Sequence, residues 1–294
     1  MDIRQLTYFL EVAKQKSMTK AAEVLHVSQP ALSKMIKGLE EELGMTLITR
    51  TNKSSEVTDA GKIVMEYAIK LNALLNEMHV TLSDMTNLQH GSIHIGIPPI
   101  AGSLYFPKVL AEFHKSFPNI KINITEYTAP KLSKKVLEGE IELGIAVLPI
   151  NEEEFQLFPV ISEEMKLLVH YQHPLSVKDT VQLKELEHEE FIFYHEDFAL
   201  YDIILKQCIN EGFAPKILFK SSQWDFMAEM VAANLGVTIL PESICRRVDH
   251  QQIKIIHLSP STPWNLAVIT KKDKYVSNAA KTFIDFILKH KNIK

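Results

Sequence analysis

Between Ser28 and Lys37 the chain gathers Ser28, Gln29, Pro30, Ser33, Lys34 and Lys37. A primary amide such as that of Gln29 can contact the edge of adenine at two points, and the hydroxyl and ammonium groups of Ser33 and Lys34 can reach base edges or phosphate. Pro30 offers an apolar surface suited to a thymine methyl group. Lys37, and further on Arg50, Thr51 and Lys53, have the chemistry of phosphate contacts, which position a protein on a duplex without reading its sequence. Taken singly, each of these is equally well explained as a solvated surface residue. The grouping carries the reading.

Residues suited to catalysis are scattered by comparison. His170 and His173 are close in sequence, but no acidic or cysteine partner completes a metal set. His188 lies among Glu187, Glu189 and Glu190 as in a solvated charged turn, and His195-Glu196-Asp197 is a single local triplet. Cys208 and Cys245 are the two cysteines, and no motif joins them. A redox switch and a pair of buried free thiols both stay open, the thiols being the simpler account. There is no glycine-rich phosphate loop and no Gly-x-Ser-x-Gly elbow. The expectation is a non-enzyme without a cofactor or a metal.

The elements that position the first group are short helices. Leu6, Phe9, Leu10 and Ala13 recur at helical spacing, and Thr19 is expected to cap a second helix carrying Ala21, Ala22 and Leu25. After a brief turn at His26-Val27, Ser28 caps a third helix with Pro30 in its first turn, where a missing N–H is harmless. Leu32, Ile36, Leu39 and Leu43 lie on one face of it, the polar set lies on the other, and Gly44 stops it. Two short helices joined by a tight turn, the second polar on its outer side, form the helix-turn-helix pattern. Leu47 to Val57 is expected to be a two-stranded wing with a polar tip.

From Thr58 to about Leu88 there is no proline, and Val64, Ala68, Leu71, Leu75, Met78, Leu82 and Met85 alternate in steps of four and three. Such a stripe suits a coiled coil with a second copy, and it also suits packing within the chain. Beyond residue 91 strands alternate with helices, starting with a strand from Ser92 to Ile97. This implies an α/β unit with parallel strands.

Bulk properties bound these readings. With 294 residues the chain exceeds one ordinary core, and 46% hydrophobic against 23% charged residues is the balance of a globular protein. A formal charge of −4 argues against coating nucleic acid indiscriminately, yet leaves room for a local basic face. No stretch approaches the ~18 apolar residues of a membrane span. The N-terminus lacks a basic segment followed by an apolar run, so a cytoplasmic protein without membrane contact is expected.

With these elements in place, the sequence resembles the LysR-type transcriptional regulators over essentially its whole length. The most specific part runs from Phe9 to Gly61. Ser17 through Lys34 resembles the family's helix-turn-helix signature almost position for position, and Ile36 through Gly44, Arg50-Thr51 and Thr58-Asp59-Ala60-Gly61 continue it. Gly91 through Gly96, Phe106-Pro107, Phe117-Pro118 and Val231 through Pro241 are weaker echoes. Ile48 stands where phenylalanine is usual, Glu142 where aspartate is common and Asn234 where glycine is common; asparagine tolerates a left-handed backbone.

The resemblance implies an α+β multidomain chain. Residues 1–58 would be a winged helix-turn-helix DNA-binding domain and 59–90 a linker and dimerisation helix, with Val64, Ala68, Leu71, Leu75, Met78 and Leu82 at the seam. Residues 91–294 would be an effector-binding domain similar to periplasmic binding proteins, with lobe I at about 91–160 and 267–294 and lobe II at about 161–266. Implied partners are double-stranded promoter DNA, a second dimer in a homotetramer, RNA polymerase and a small effector. Family members most often activate a neighbouring operon and repress their own gene. In α/β folds of this type ligands sit at strand ends between lobes. The expected walls are therefore Pro99, Ile100, Ala101, Gly102 and Ser103 after the first strand, with Ala146, Val147, Tyr194, His195, Phe198, Gln223 and Trp224. Exposed amides at the helix start after that loop favour an anionic effector such as a carboxylate.

Overall fold

The computed structural model describes residues 1–50, 55–86, 91–248 and 251–290. The chain divides into two units, Met1–Met85 with Glu138–Glu140, and Thr86–Leu137 with Ile141–Lys294. Among the described residues no helix is long and apolar enough to cross a membrane.

In the first unit, α1 (Ile3–Gln15) begins with a reciprocal cap: the Asp2 carboxylate accepts from the Arg4 amide at 2.7 Å, while Gln5 Oε1 accepts from the Asp2 amide at 2.8 Å. α2 (Met18–Val24) is capped by Ser17, whose hydroxyl accepts from the Lys20 amide. Thr19, the expected cap, lies inside the helix. The reason is Met18, which is buried and has to join the first turn to reach the core. His26 takes a left-handed backbone at φ 53°, turning the chain into α3 (Gln29–Leu43), which Ser28 caps and Gly44 ends at φ 66°. Leu32, Ile36 and Leu39 of α3 are fully buried with Leu6, Phe9, Val12, Ala21 and Ala22, roughly 1.5–3 kcal/mol for each large side chain.

β1 (Ile48–Arg50) and β2 (Ser55–Val57) pair antiparallel, Ile48 opposite Val57. They form the expected wing, whose tip residues Thr51 and Lys53 lie outside the described residues. The wing is tied to α3 through Glu40, whose Oε1 accepts from the amides of Leu47 at 2.8 Å and Ile48 at 3.1 Å. The 28-residue α4 (Asp59–Thr86) starts at Thr58, whose hydroxyl donates to Thr46 O and accepts from the Gly61 amide. A Cβ at Gly61 would fall 2.3 Å from the Leu47 carbonyl oxygen, so only glycine fits there.

In the second unit, β3 (Gly91–Ile97) runs parallel to β4 (Ile120–Glu126) and to β5 (Leu143–Val147), with α5 (Pro99–Leu104), α6 (Phe106–Ser116) and α7 (Ala129–Glu138) between them. The 16-residue β6 (Phe155–His170) follows, then β7 (Thr180–Gln182), β8 (Glu190–Tyr194), α8 (Ala199–Asn210), β9 (Lys216–Ser221), α9 (Trp224–Ala232), β10 (Thr238–Pro241), α10 (Glu242–Cys245), β11 (Ile253–Ser259), β12 (Pro263–Lys271) and α11 (Asn278–Lys289). The strand order in the main sheet is β4-β3-β5-β12-β6-β11-β7, with β10 also on β6, while β8 and β9 form a parallel pair of their own.

The expectation of parallel strands holds within each lobe's βα units and fails at the centre. β6 carries the chain out of the first lobe and β12 brings it back, so the two run antiparallel, with a register shift between Leu266 and Ala267 opposite Ile161 and Pro159. β6 runs on from Phe155 to His170 because its first half pairs with β12 before its second half pairs with β10 and β11. Two helices follow β3, and the presumed loop from Pro99 onward is the first of them. At Asn234 the backbone is left-handed, φ 57°, as the asparagine there suggested. Glu142 accepts from the Ser277 amide at 2.7 Å and from its hydroxyl at 3.1 Å, holding the residue that caps α11.

Candidate DNA interface and effector cleft

The polar residues singled out between Ser28 and Lys37 all fall on α3 or its cap. Gln29, Pro30, Ala31, Lys34 and Lys37 are exposed, Ser33 is half-buried, and the buried Leu32-Ile36-Leu39 stripe lies on the opposite side. Ser28 is exposed, and its hydroxyl accepts from the Ala31 amide at 3.4 Å, so it orders the helix start as well as facing outward. The positive end of the helix dipole lies at the first turn, and Lys34 and Lys37 follow it along the same helix. Lys37 pairs with Glu41 at 3.4 Å, an exposed i,i+4 contact worth little against a phosphate. Arg50 ends β1, on the strand that Glu40 fastens to α3.

On α4 the expected seam splits. Ala68 is buried and Val64 half-buried against the three-helix core, while Leu71, Met78 and Leu82 are exposed and Leu75 is half-buried. Exposed apolar residues continue as Ile63, Tyr67, Leu71, Leu74, Met78 and Leu82, a line in steps of four and three along the helix. The sequence pattern merged two faces here: one that closes the core, and one left in water.

A cleft in the second unit lies between the carboxyl ends of the first lobe's strands and the start of α8. Its walls include Pro99, Ile100, Ala101, Val147 and Phe198 of the expected set. Pro98, Thr128, Ala129, Ala199, Leu200 and Trp264 complete them and were missed. The β-strand-end rule covers Thr128 and Ala129, which open α7 after β4; Trp264 precedes the point, Leu266, where the apolar pattern begins.

The other expected wall residues lie elsewhere. Ala146 points into a separate cluster with Phe155 and Ile269. Tyr194 is fully buried, donates to Ile239 O at 3.2 Å, and has its hydroxyl pKa pushed well up by burial. His195 is exposed beside Glu196, and Gln223 is the exposed cap residue of α9. Trp224 lines a different depression with Asp225, Glu229 and Arg247. Gly102 packs on Ile97 within α5, and Ser103 is placed in α5 by its backbone.

Among the described residues no side chain lining the cleft is charged. α5 opens on Pro99, which has no N–H to offer, so the helix-start amides begin at Ile100. The histidines singled out for catalysis serve local structure. His170 Nδ1 accepts from the Gln172 amide, and His173 accepts from the Leu175 amide while its Nε2 meets Glu189 at 3.1 Å. Among the described residues no group of three His, Cys, Asp or Glu could hold a metal ion. Cys208 and Cys245 are buried free thiols, each with its pKa pushed up to about 12, chiefly by burial.

Residues 3–62 match the family model described as "Bacterial regulatory helix-turn-helix protein, lysR family", and residues 86–292 match "LysR substrate binding domain". An uncharacterized HTH-type transcriptional regulator of Bacillus subtilis, YwbI, is 45% identical over 286 residues, covering 97% of this chain and 95% of its own. Among solved structures, a full-length OxyR from Pseudomonas aeruginosa is similar with a TM-score of 0.75 at 24% identity, covering 98% of this chain and 94% of that one. Full-length CbnR in complex with its target DNA gives a TM-score of 0.70 at 21% identity, over 98% and 99% of the two chains. At that identity these structures speak for the fold. The domain matches and the full-length relative make the protein a LysR-type DNA-binding transcriptional regulator with a substrate-binding effector domain, a member of a family of regulators rather than enzymes.

Proposed function

We propose that α3 enters the major groove of promoter DNA with Ser28, Gln29, Pro30, Ser33 and Lys34 at the bases, while Lys37, Arg50, Thr51 and Lys53 hold the phosphates. The observation that carries this is the division of α3 into a fully buried apolar stripe and an exposed amide, hydroxyl and ammonium side. The assignment is tested by footprinting Gln29→Ala, Ser33→Ala and Lys37→Ala on the DNA upstream of the gene. Gln29→Ala or Ser33→Ala alters base preference, by about 1–3 kcal/mol at the affected position. Lys37→Ala weakens binding on all sequences and reduces the salt slope by about one. Unchanged affinity and specificity in all three variants would place the DNA elsewhere.

In the same reading, residues 1–58, 59–90 and 91–294 are the DNA-binding, linker and effector-binding parts, and the cleft receives a small molecule. Exposed Leu71, Met78 and Leu82, with Leu75 beside them, pair α4 with a second copy; dimers pair again, placing recognition helices whole helical turns apart on two-fold DNA. Ligand binding shifts lobe closure, and the assembly passes this on as altered DNA bending and RNA polymerase contact. Such a regulator works in the cytoplasm. Buried Cys208 and Cys245, held protonated, favour ligand sensing over thiol oxidation.

A further inference from the structure

A residue of the cleft wall carries a polar group without a partner among the described residues. Trp264 is 2% exposed and lines the cleft, and its indole Nε1–H has no hydrogen-bond partner among the described residues. A buried indole N–H ordinarily finds an acceptor, and a buried donor left alone calls for a physical account. Two acceptors on the adjoining strand positions do not take it, although Asn265 Oδ1 is likewise without a partner among the described residues. Glu163, opposite Trp264 in register on β6, has its carboxylate bound to the Ser243 amide at 3.1 Å and hydroxyl at 2.6 Å. Asn265 follows on the same strand, and successive strand residues point to opposite faces.

Among the described residues the rest of the wall is proline, alanine and larger apolar side chains, with Thr128 the only other one bearing a side-chain polar atom. A carboxylate brought there would be desolvated without a counter-charge, at a far greater cost than a neutral oxygen. The indole is a donor only, so its complement is an acceptor. As it stands the cleft encloses about 20 Å³, room for about one water, so anything larger enters only as its walls part.

We propose that Trp264 determines effector specificity, and that the effector is a small uncharged molecule presenting a carbonyl-type oxygen to Nε1–H on a short hydrocarbon body. This rests on the cleft being the effector site, and the test separates the two claims. The chain has two tryptophans, and Trp224 lines the other depression, so Trp224→Phe leaves Trp264 as the single indole. In that full-length variant, labelled with ¹⁵N-tryptophan and with methyl labels reporting Val147 and Leu200, three probes of one carbon skeleton are titrated: 2-butanone, butyramide and butyrate. The indole N–H signal shifts saturably with the ketone and the amide, and butyrate binds at least tenfold more weakly. Trp264→Phe keeps the methyl shifts and loses roughly 3–10-fold in affinity for the ketone, the worth of one neutral hydrogen bond. Butyrate binding as well as the ketone overturns the neutral class. Methyl shifts with a silent indole overturn Trp264 while leaving the cleft as the site. Silence at both overturns the assignment and the cleft together.

Discussion

Burial at Cys208 and Cys245 sets the state of two sulfur atoms. Each thiol's pKa is pushed up to about 12, from an ordinary value of 9.0, and for both the largest cause is loss of water around the charged form. The thiolate is the reactive species, so at pH 8 neither cysteine of the folded protein takes up iodoacetamide over an hour, whereas both do in urea; mass spectrometry reads the difference. The linked stability change has a definite sign. Below pH 9 both states keep the thiol protons and the contribution is complete. As pH rises from 9 toward 12 the unfolded chain ionises while the folded chain does not, so stability falls across that window. Cys208→Ala with Cys245→Ala flattens that fall in denaturant titrations. A double variant with the same alkaline slope as the parent would show that these thiols do not contribute to it.

Among the elements, α4 carries the clearest unmet requirement. Its line of Ile63, Tyr67, Leu71, Leu74, Met78 and Leu82 stands exposed while Ala68 is consumed by the three-helix core. Leu74→Glu with Met78→Glu puts charges into the middle of that line. The expected outcome is a loss of the dimer in analytical ultracentrifugation at micromolar concentration, with an unchanged helical signal; an unshifted sedimentation coefficient would move the interface off α4. This helix also shows what could be read in advance. The helix start marked by Ser28 and the stop marked by Gly44, the wing and the long proline-free helix were legible, because short-range caps and periodicity decide them. Ser17 instead of Thr19 as a cap was not, since the burial of Met18 fixed it from a distance. The cleft was half legible: strand ends pointed to Ile100 and Val147, but whether Ala146 or Val147 lines it depends on strand parity, and Tyr194 is turned inward by its bond to Ile239. Trp264 was hidden, because a lone tryptophan before an apolar run reads as core.

For the whole molecule, the two units each own an apolar cluster. The twelve buried residues of the first draw on α1, α2, α3, the wing and Ala68 of α4. A fragment of residues 1–86 is therefore expected to melt cooperatively by circular dichroism and to retain salt-sensitive binding to DNA. A fragment with no cooperative transition would mean that this cluster is too small to fold without the rest of the chain.

The second unit is joined differently. Its halves are bridged by β6 and β12, hydrogen-bonded to one another across the register shift at Leu266 and Ala267. A ribbon of two bonded strands yields easily to flexing across its flat face, and resists shear along its length. On the proposed reading, occupancy of the cleft would be converted into a bending of this ribbon, and substitutions that stiffen or loosen it would retune the set-point of the switch without touching either the molecule sensed or the operator read.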